Sequence, residues 1–166
     1  MFGFYENFPS NVHKILLFTS TVSNRKLQNA IIQALHRLNS QNQSIEKALN
    51  LPVLGSIAIF EFGIAEGEAF NYIDAEEAQK ALEKIQKTPF QVMDLFCAVR
   101  YYKKTNGKSK PLKFDYYMLR LTFNTGLLEA QVFHERGPRH MAAEDIINML
   151  VAKVNELFPR RTLKKA

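Results

Sequence analysis

The chain is poor in the residues that build several common kinds of site. Its 166 residues include a single cysteine, Cys97, and no tryptophan. One cysteine excludes an internal disulfide bond and a cysteine-based metal cluster. Cys97 lies in an apolar run, so we expect it to be a small buried hydrophobic residue.

The chain also lacks a long apolar run. The stretch from Ile15 to Phe18 is far too short to span a bilayer or to act as a secretory signal. We therefore expect a soluble, cytoplasmic protein that does not contact a membrane.

Motifs of enzymes and nucleotide-binding proteins are missing as well. The chain contains no GxGxxG, GxxxxGK[ST], GxSxG, HExxH or CxxC motif. Its four histidines form no pair at i, i+4 spacing that could bind a metal ion on a helix. The sequence therefore predicts no cofactor, no metal ligand and no catalytic residue. These absences favour a protein that is not an enzyme, although enzymes without such motifs exist.

Acidic residues are absent from two short basic segments. Residues 103–113 hold five lysines, and residues 160–166 hold four basic residues. The whole chain has 22 basic and 16 acidic residues, a formal net charge of +6. Without these nine cations, 13 basic residues face 16 acidic ones, so the remaining chain is slightly acidic. Any binding of an anion should therefore be local.

The length and the hydrophobic pattern predict one packed domain. A hydrophobic content of 46% with 13 phenylalanines indicates a substantial core. We expect a single domain over residues 1–159 and a flexible basic tail over residues 160–166. Apolar residues at helical spacing predict helices over 24–38 and 141–158, and a third that Asp74 caps and Pro89 ends. Ser44 could cap a short helical turn through Leu49.

Six strands are expected between these helices. They lie at residues 12–19, 56–63, 68–73, 95–103, 114–123 and 127–134. The order is βα, ββα, βββα, with short links between successive strands. This order predicts an α+β fold with a mostly antiparallel sheet of about six strands and helices packed on it. Leu82, Leu119, Leu121, Ile146 and Leu150 should be buried in its core.

The segment from His134 to His140, which we call the corner, joins the last long strand to the last helix. Its sequence, HERGPRH, places cations just before a helix N-terminus, where the helix dipole is already positive. Three interpretations remain open. The corner could pair internally with Glu135, Glu144 or Asp145, or it could bind an anion. It could also hold an acid–base set of His134, Glu135 and His140.

The lysine-rich hairpin and the tail are the other candidate anion-binding segments. Four tyrosines at the base of the hairpin, at positions 101, 102, 116 and 117, could stack on nucleic-acid bases. Sheet packing and solvated loops are the simpler explanations of both features. The candidate ligands for an anion or a nucleic acid are Lys103, Lys104, Lys108, Lys110, Lys113, His134, Arg136, Arg139, His140, Arg160 and Arg161.

These features support three hypotheses about function. The first is a non-enzymatic binding module of a cytoplasmic assembly, which holds nucleic acid or another polyanion on the hairpin, the tail and the corner. The second is a structural or adaptor protein that forms a homodimer or binds a protein partner. The third is an enzyme that acts on a phosphorylated substrate at residues 134–140.

Overall fold

A computed structural model describes residues 1–40, 42–43, 56–105 and 107–166. The predicted helical turn at residues 44–49 lies outside these ranges, and so does the side chain of Lys104. The helices and strands, numbered along the chain, are β1 (Lys14–Ser20), α1 (Asn24–Ser40), β2 (Asn42–Gln43), β3 (Ser56–Glu66), β4 (Ala69–Tyr72), α2 (Ala75–Lys87), β5 (Val92–Thr105), β6 (Lys108–Asn124), β7 (Leu127–Arg136), α3 (Ala143–Asn155) and β8 (Leu163–Lys165).

All eight strands belong to one antiparallel sheet. The strand order is β2-β3-β5-β6-β7-β1-β8, and β4 pairs with β3 beside this path. The predicted α+β fold with about six antiparallel strands is confirmed. The two strands that the sequence did not predict, β2 and β8, are only two and three residues long.

Local sequence signals account for the best-predicted element, α2. The side chain of Asp74 accepts a hydrogen bond from the backbone N–H of Glu77, as expected for a helix cap. Glu76 and Glu77 lie in the first turn, whereas Lys84 and Lys87 lie in the last, where each complements the helix dipole. The helix ends at Lys87, and Thr88 is its C-cap, just before Pro89.

The helices cover one face of the sheet, and the core lies between the helices and that face. Inward residues alternate along the strands, as in Phe60 and Phe62 of β3, both of which are fully buried. Four of the five predicted core residues are buried, and Leu82 is only partly buried against the core. Cys97 is buried as predicted, and desolvation raises the pKa of its thiol.

The opposite face, which we call the open face, is covered in its middle by the N-terminal segment. The backbone N–H of Tyr5 donates to Asp94 Oδ2 over 2.7 Å. Arg120 pairs with the same buried carboxylate through two nitrogens, at 2.7 and 2.8 Å, and stacks on Phe4 and Phe8. Residues farther along β6, toward the corner, stay partly exposed.

Residues 160–166, which the sequence predicted as a flexible basic tail, contain a short strand. Leu163–Lys165 forms β8, which pairs antiparallel with the second half of β1. Asn155 at the end of α3 holds the chain there, because its Oδ1 accepts hydrogen bonds from the backbone N–H groups of Thr162 and Leu163. Leu163 is buried between α1 and α3. A single leucine was too weak a signal to predict this contact from the sequence.

Candidate anion-binding site

A β-bulge divides the corner between the two faces of the sheet. Tyr117 pairs with His134 and Tyr116 pairs with Arg136, so Glu135 is the extra residue in β7. Directly paired residues share a face of the sheet. His134 therefore lies on the helix-covered face beside buried Tyr117, and Arg136 lies on the open face beside Tyr116. The sequence pattern did not predict this bulge.

The residue that holds the corner is Asp115, a fully buried carboxylate in the middle of β6. Its Oδ1 accepts from the backbone N–H of Arg139 at 2.7 Å and contacts His134 Nε2 at 2.8 Å. Its Oδ2 accepts from the backbone N–H of His140 at 3.0 Å and from the hydroxyl of Tyr101 at 2.9 Å. Four donors thus satisfy one buried charge, as a buried carboxylate requires.

The acids predicted to pair with the corner do not do so among the described residues. Glu135 is exposed, and Glu144 lies 3.7 Å from Lys14. Desolvation, followed by the neighbouring Glu144 charge, raises the pKa of Asp145. An acid does hold the corner, but it is Asp115, and it contacts the backbone N–H groups of Arg139 and His140 rather than a guanidinium. The available signal was an aspartate flanked by aromatic residues inside a long strand.

The corner adopts a strained backbone that depends on Gly137 and Arg139. Gly137 has φ +114°, and a Cβ there would meet the carbonyl oxygen of Phe114 and would lie 2.8 Å from Asp115 Cα. Arg139 has φ +58°, the only left-handed non-glycine residue in the described part of the chain. A side chain in this conformation costs roughly 1–2 kcal/mol. The hydrogen bond from Arg139 to Asp115 offsets that cost and fixes the direction of the arginine.

Two histidines and Arg139 form a polar cluster beside the corner. His134 Nδ1 accepts from Arg139 Nε at 3.3 Å, while its Nε2 lies against Asp115. His13 Nδ1 accepts from the backbone N–H of His134 at 2.9 Å, and its ring stacks on Phe133 at 4.8 Å. Desolvation, and then the charges of Arg139 and His134, lower the pKa of His13. The cluster and the start of α3 line a cavity of about 320 Å³.

This geometry bears on the hypothesis of an acid–base set. Both ring nitrogens of His134 already have partners, so neither is available to exchange a proton with a ligand. The ring of His140 lies edge-on to Tyr101, with the centroids 5.1 Å apart. Within the described residues, no hydrogen bond joins Glu135 to either histidine. The structure therefore does not bring these three side chains together as a catalytic set.

A groove on the open face joins the corner to the base of the lysine-rich hairpin. It has a volume of about 620 Å³, and Arg136, Gly137 and Pro138 of the corner line one wall. Leu112, Lys113 and Phe114 line the other wall. We call it the Arg136 groove. The ring of Phe114 is 38% exposed, and among the described residues neither Arg136 nor Lys113 forms an ion pair with an acid.

Aromatic rings continue from the Arg136 groove across the open face. Phe114 contacts Tyr116 with ring centroids 4.8 Å apart, and Tyr116 contacts Phe96 at 5.2 Å. Phe96 in turn contacts Phe70 at 5.5 Å. The rings are tilted against one another and stay partly exposed on the side away from the helices. We call this row the aromatic row.

Two of the four tyrosines predicted to stack on bases are buried instead. Tyr101 and Tyr117 face the core, where their hydroxyls donate to Asp115 and to the carbonyl of Met141. Desolvation, followed by the charge of Asp115, raises the pKa of both hydroxyls, so they keep their protons and donate. Tyr102 and Tyr116 are partly exposed and alternate with them, so they lie on the open face.

The remaining predicted ligands are spread over both ends of the sheet. Lys103 and Lys110 face each other across the hairpin, and Lys108 and Lys110 are exposed near its tip. Arg160 and Arg161 are also exposed, but they precede β8, which pairs with the end of β1 remote from His13. The structure therefore joins Lys113 to the corner and separates the two tail arginines from it.

Comparison with protein-family models, with curated proteins and with solved structures finds no match to this chain. In the described ranges, no helix is both long enough and apolar enough to cross a membrane. Over the same ranges, no three histidine, cysteine or acidic side chains are grouped so that they could hold a metal ion.

Proposed function

We propose that this protein is a non-enzymatic binding module of a cytoplasmic assembly, and that it holds single-stranded nucleic acid on the open face. The observation that carries the proposal is the Arg136 groove, where two cations without acidic partners among the described residues flank an exposed aromatic ring. Proteins that bind single strands combine these two features, because bases stack on rings while phosphates contact cations.

The aromatic row offers more than one stacking position. Phe114 and Tyr116 are two residues apart on one strand, so both rings lie on the same face. Arg136 lies directly across from Tyr116, and Arg100 lies directly across from Phe114. Arg100 is paired with Glu61 at 2.9 Å, so its charge is partly offset. Arg136 and Lys113 are therefore the principal phosphate ligands in this proposal.

The lysine-rich hairpin extends from the same end of the sheet. Lys108 and Lys110 are exposed there and can contact additional phosphates of a strand bound in the groove. A double helix would meet an open face that the N-terminal segment partly covers, whereas a flexible strand can follow the aromatic row. This difference favours a single strand over a duplex. The tail arginines take no part, because β8 holds the tail at the other end of β1.

The test is the binding of a fluorescein-labelled single-stranded oligonucleotide, measured by anisotropy at low salt. Phe114→Ala should weaken binding by about 5- to 150-fold, since stacking of one base contributes about 1–3 kcal/mol. Arg136→Ala should also weaken it. Lys87→Ala removes one exposed charge from α2, on the covered face, and should leave the affinity unchanged. No binding by the wild type, or equal losses in all three variants, would contradict the proposal.

One observation favours a second candidate function, that of an adaptor that self-associates. Ile15 and Leu17 of β1 are 54% and 43% exposed, and they lie on the open face near the edge that β8 forms. Exposed apolar residues beside a sheet edge are a common surface for association. Light scattering at increasing protein concentration tests this candidate. A dimer that Leu17→Lys converts to a monomer would support it, and a wild type that stays monomeric would exclude it.

A further inference from the structure

The hydrogen bonds of the polar cluster leave two donors directed at the same point. His134 is fully satisfied when its Nε2 carries the proton, because Asp115 accepts there and Arg139 Nε donates to Nδ1. The same reasoning fixes His13. A backbone N–H can only donate, so His13 Nδ1 must be the acceptor and its Nε2 must carry the proton.

His13 Nε2 lies 3.2 Å from Arg139 Nη2. An arginine nitrogen has no acceptor capacity, so two N–H groups meet there without an acceptor between them. A second proton on His13 would not remove this conflict. It would sit on Nδ1, where it would meet the backbone N–H of His134. An added acceptor that both groups share, such as an anion oxygen, satisfies this arrangement.

The arrangement is held in place by the fold. Arg139 takes up a left-handed conformation, and the buried carboxylate of Asp115 fixes its backbone there. Strained residues that a structure holds in this way cluster at binding sites. His13 is held by its bond to the backbone of His134 and by stacking on Phe133. Both side chains are exposed and line the cavity, so their donors can reach a ligand there.

The cavity has room for a ligand and a further cation at its rim. Its volume of about 320 Å³ exceeds what one water molecule needs. Lys14 and Glu144 also line it, and their 3.7 Å contact is between half-exposed side chains, so it contributes little and can be exchanged. The charged groups around His13 are thus Arg139, Lys14, Glu144 and the buried Asp115.

We infer that this cavity binds a phosphate group, with one of its oxygens accepting from both His13 Nε2–H and the guanidinium of Arg139. Arg139 has one further nitrogen, Nη1, for a second oxygen, because its Nε donates to His134, and Lys14 can leave Glu144 for a third oxygen. The ligand class is inorganic phosphate or a phosphate monoester, including the terminal phosphate of a nucleic-acid strand. The site lies on the other side of the corner from the Arg136 groove and does not depend on the function proposed above.

The experiment is a titration of the wild type and of each variant with inorganic phosphate at constant ionic strength, followed by NMR through the backbone amide resonances of residues 134–140 and, where His13 is present, through its ring resonances. His13→Asn keeps an acceptor for the N–H of His134 but removes the Nε2 donor. It should weaken phosphate binding by about 10-fold or more, because a hydrogen bond to a charged group contributes at least about 1.5 kcal/mol. Arg139→Gln should weaken it at least as much. Lys87→Gln, a charge change on α2, should have no effect.

Two controls separate the possible outcomes. An amide spectrum of each variant checks the fold, and Arg139→Lys, which keeps the charge but loses the forked guanidinium, should also weaken binding. Acetate at the same ionic strength should not reproduce the shift of His13. No shift of the His13 resonances in the wild type at 10 mM phosphate, on the order of the weakest affinity expected of a real site, would overturn the inference. Equal affinity in His13→Asn and the wild type would overturn it as well.

The source of the phosphate is tested with two oligonucleotides that differ only at the 5′ end. Tighter binding of the 5′-phosphorylated strand than of the 5′-hydroxyl strand assigns the cavity to a strand end. Equal binding of both strands, together with binding of inorganic phosphate, assigns it to a small phosphorylated ligand. Failure of the oligonucleotides to bind at all would count against the proposed function alone, since the phosphate titration is independent of it.

Discussion

Replacement of Asp115 by asparagine tests whether this carboxylate holds the corner. Asparagine keeps the shape of the side chain but turns one acceptor oxygen into an NH2 group. In aspartate, each oxygen accepts two hydrogen bonds, from Arg139 and His134 on one side and from His140 and Tyr101 on the other. The NH2 group must therefore face two donors, whichever way the amide is turned.

The magnitude follows from the less costly orientation. The hydroxyl of Tyr101 can rotate and accept from the amide, whereas the backbone N–H of His140 cannot. One buried N–H then loses its partner, at a cost of about 1–3 kcal/mol, and the remaining bonds change from a charged to a neutral acceptor. We expect Asp115→Asn to lower the free energy of unfolding by about 2–5 kcal/mol.

Urea unfolding followed by circular dichroism measures this change, with the m-value as a check that unfolding stays two-state. Tyr101→Phe is the matched control, because it removes one of the four donors and leaves the charge. Tyr101→Phe should lower the free energy of unfolding by about 1–2 kcal/mol, clearly less than Asp115→Asn does. A loss under about 1 kcal/mol for Asp115→Asn, or one no larger than that of Tyr101→Phe, would refute this role of Asp115.

Three further predictions test other parts of the structure. Gly137→Ala should destabilise the protein by more than the ~1 kcal/mol expected from positive φ alone, because its Cβ meets backbone atoms. Gly67→Ala is the control, because Gly67 has φ +66° but open space around it. If urea unfolding shows equal losses of stability in both variants, the Cβ at position 137 is not crowded by the backbone. Leu163→Ala should lower the free energy of unfolding by about 2–5 kcal/mol, because Leu163 is buried. A melting temperature equal to that of the wild type would mean that β8 does not pack against the core. The pKa of His13, measured by NMR, should lie below 6.5 because of desolvation and then the charges of Arg139 and His134. Because this pKa is lower in the folded protein, the contribution of His13 to stability is present above pH 6.5 and is lost as the pH falls through the lowered pKa. A measured pKa above 6.5 would contradict the placement of His13 beside Arg139.

The sequence predicted the parts of the fold that depend on local patterns. The cap from Asp74 to Glu77 and the lysines at the end of α2 lie within one helix, so their signals are contiguous in the chain. Strands with alternating apolar residues were also found, although β5 and β6 extend farther into the hairpin than predicted. Leu163 was missed because its contacts with α1 and α3 come from segments distant in sequence.

The candidate site was predicted only in part, for the same reason. The cations of the corner were visible in the sequence, but the acid that holds them comes from a strand 24 residues earlier. The bulge at Glu135 decides that Arg136 and His134 lie on opposite faces, and no residue pattern indicated it. His13 reaches the corner across a separation of 121 residues, because β1 pairs with β7. Pairing between distant strands thus decides which charges meet.

The most direct test of the central claim, that the open face holds the phosphates of a single strand, is the salt dependence of binding. The slope of log K against log salt for a single-stranded oligonucleotide should be clearly negative. Arg136→Ala should reduce its magnitude by about 0.7, the contribution of one phosphate contact. Lys87→Ala on α2 should leave the slope unchanged. A wild-type slope near zero, or the same slope in Arg136→Ala and the wild type, would contradict the assignment of the Arg136 groove as the phosphate-binding surface.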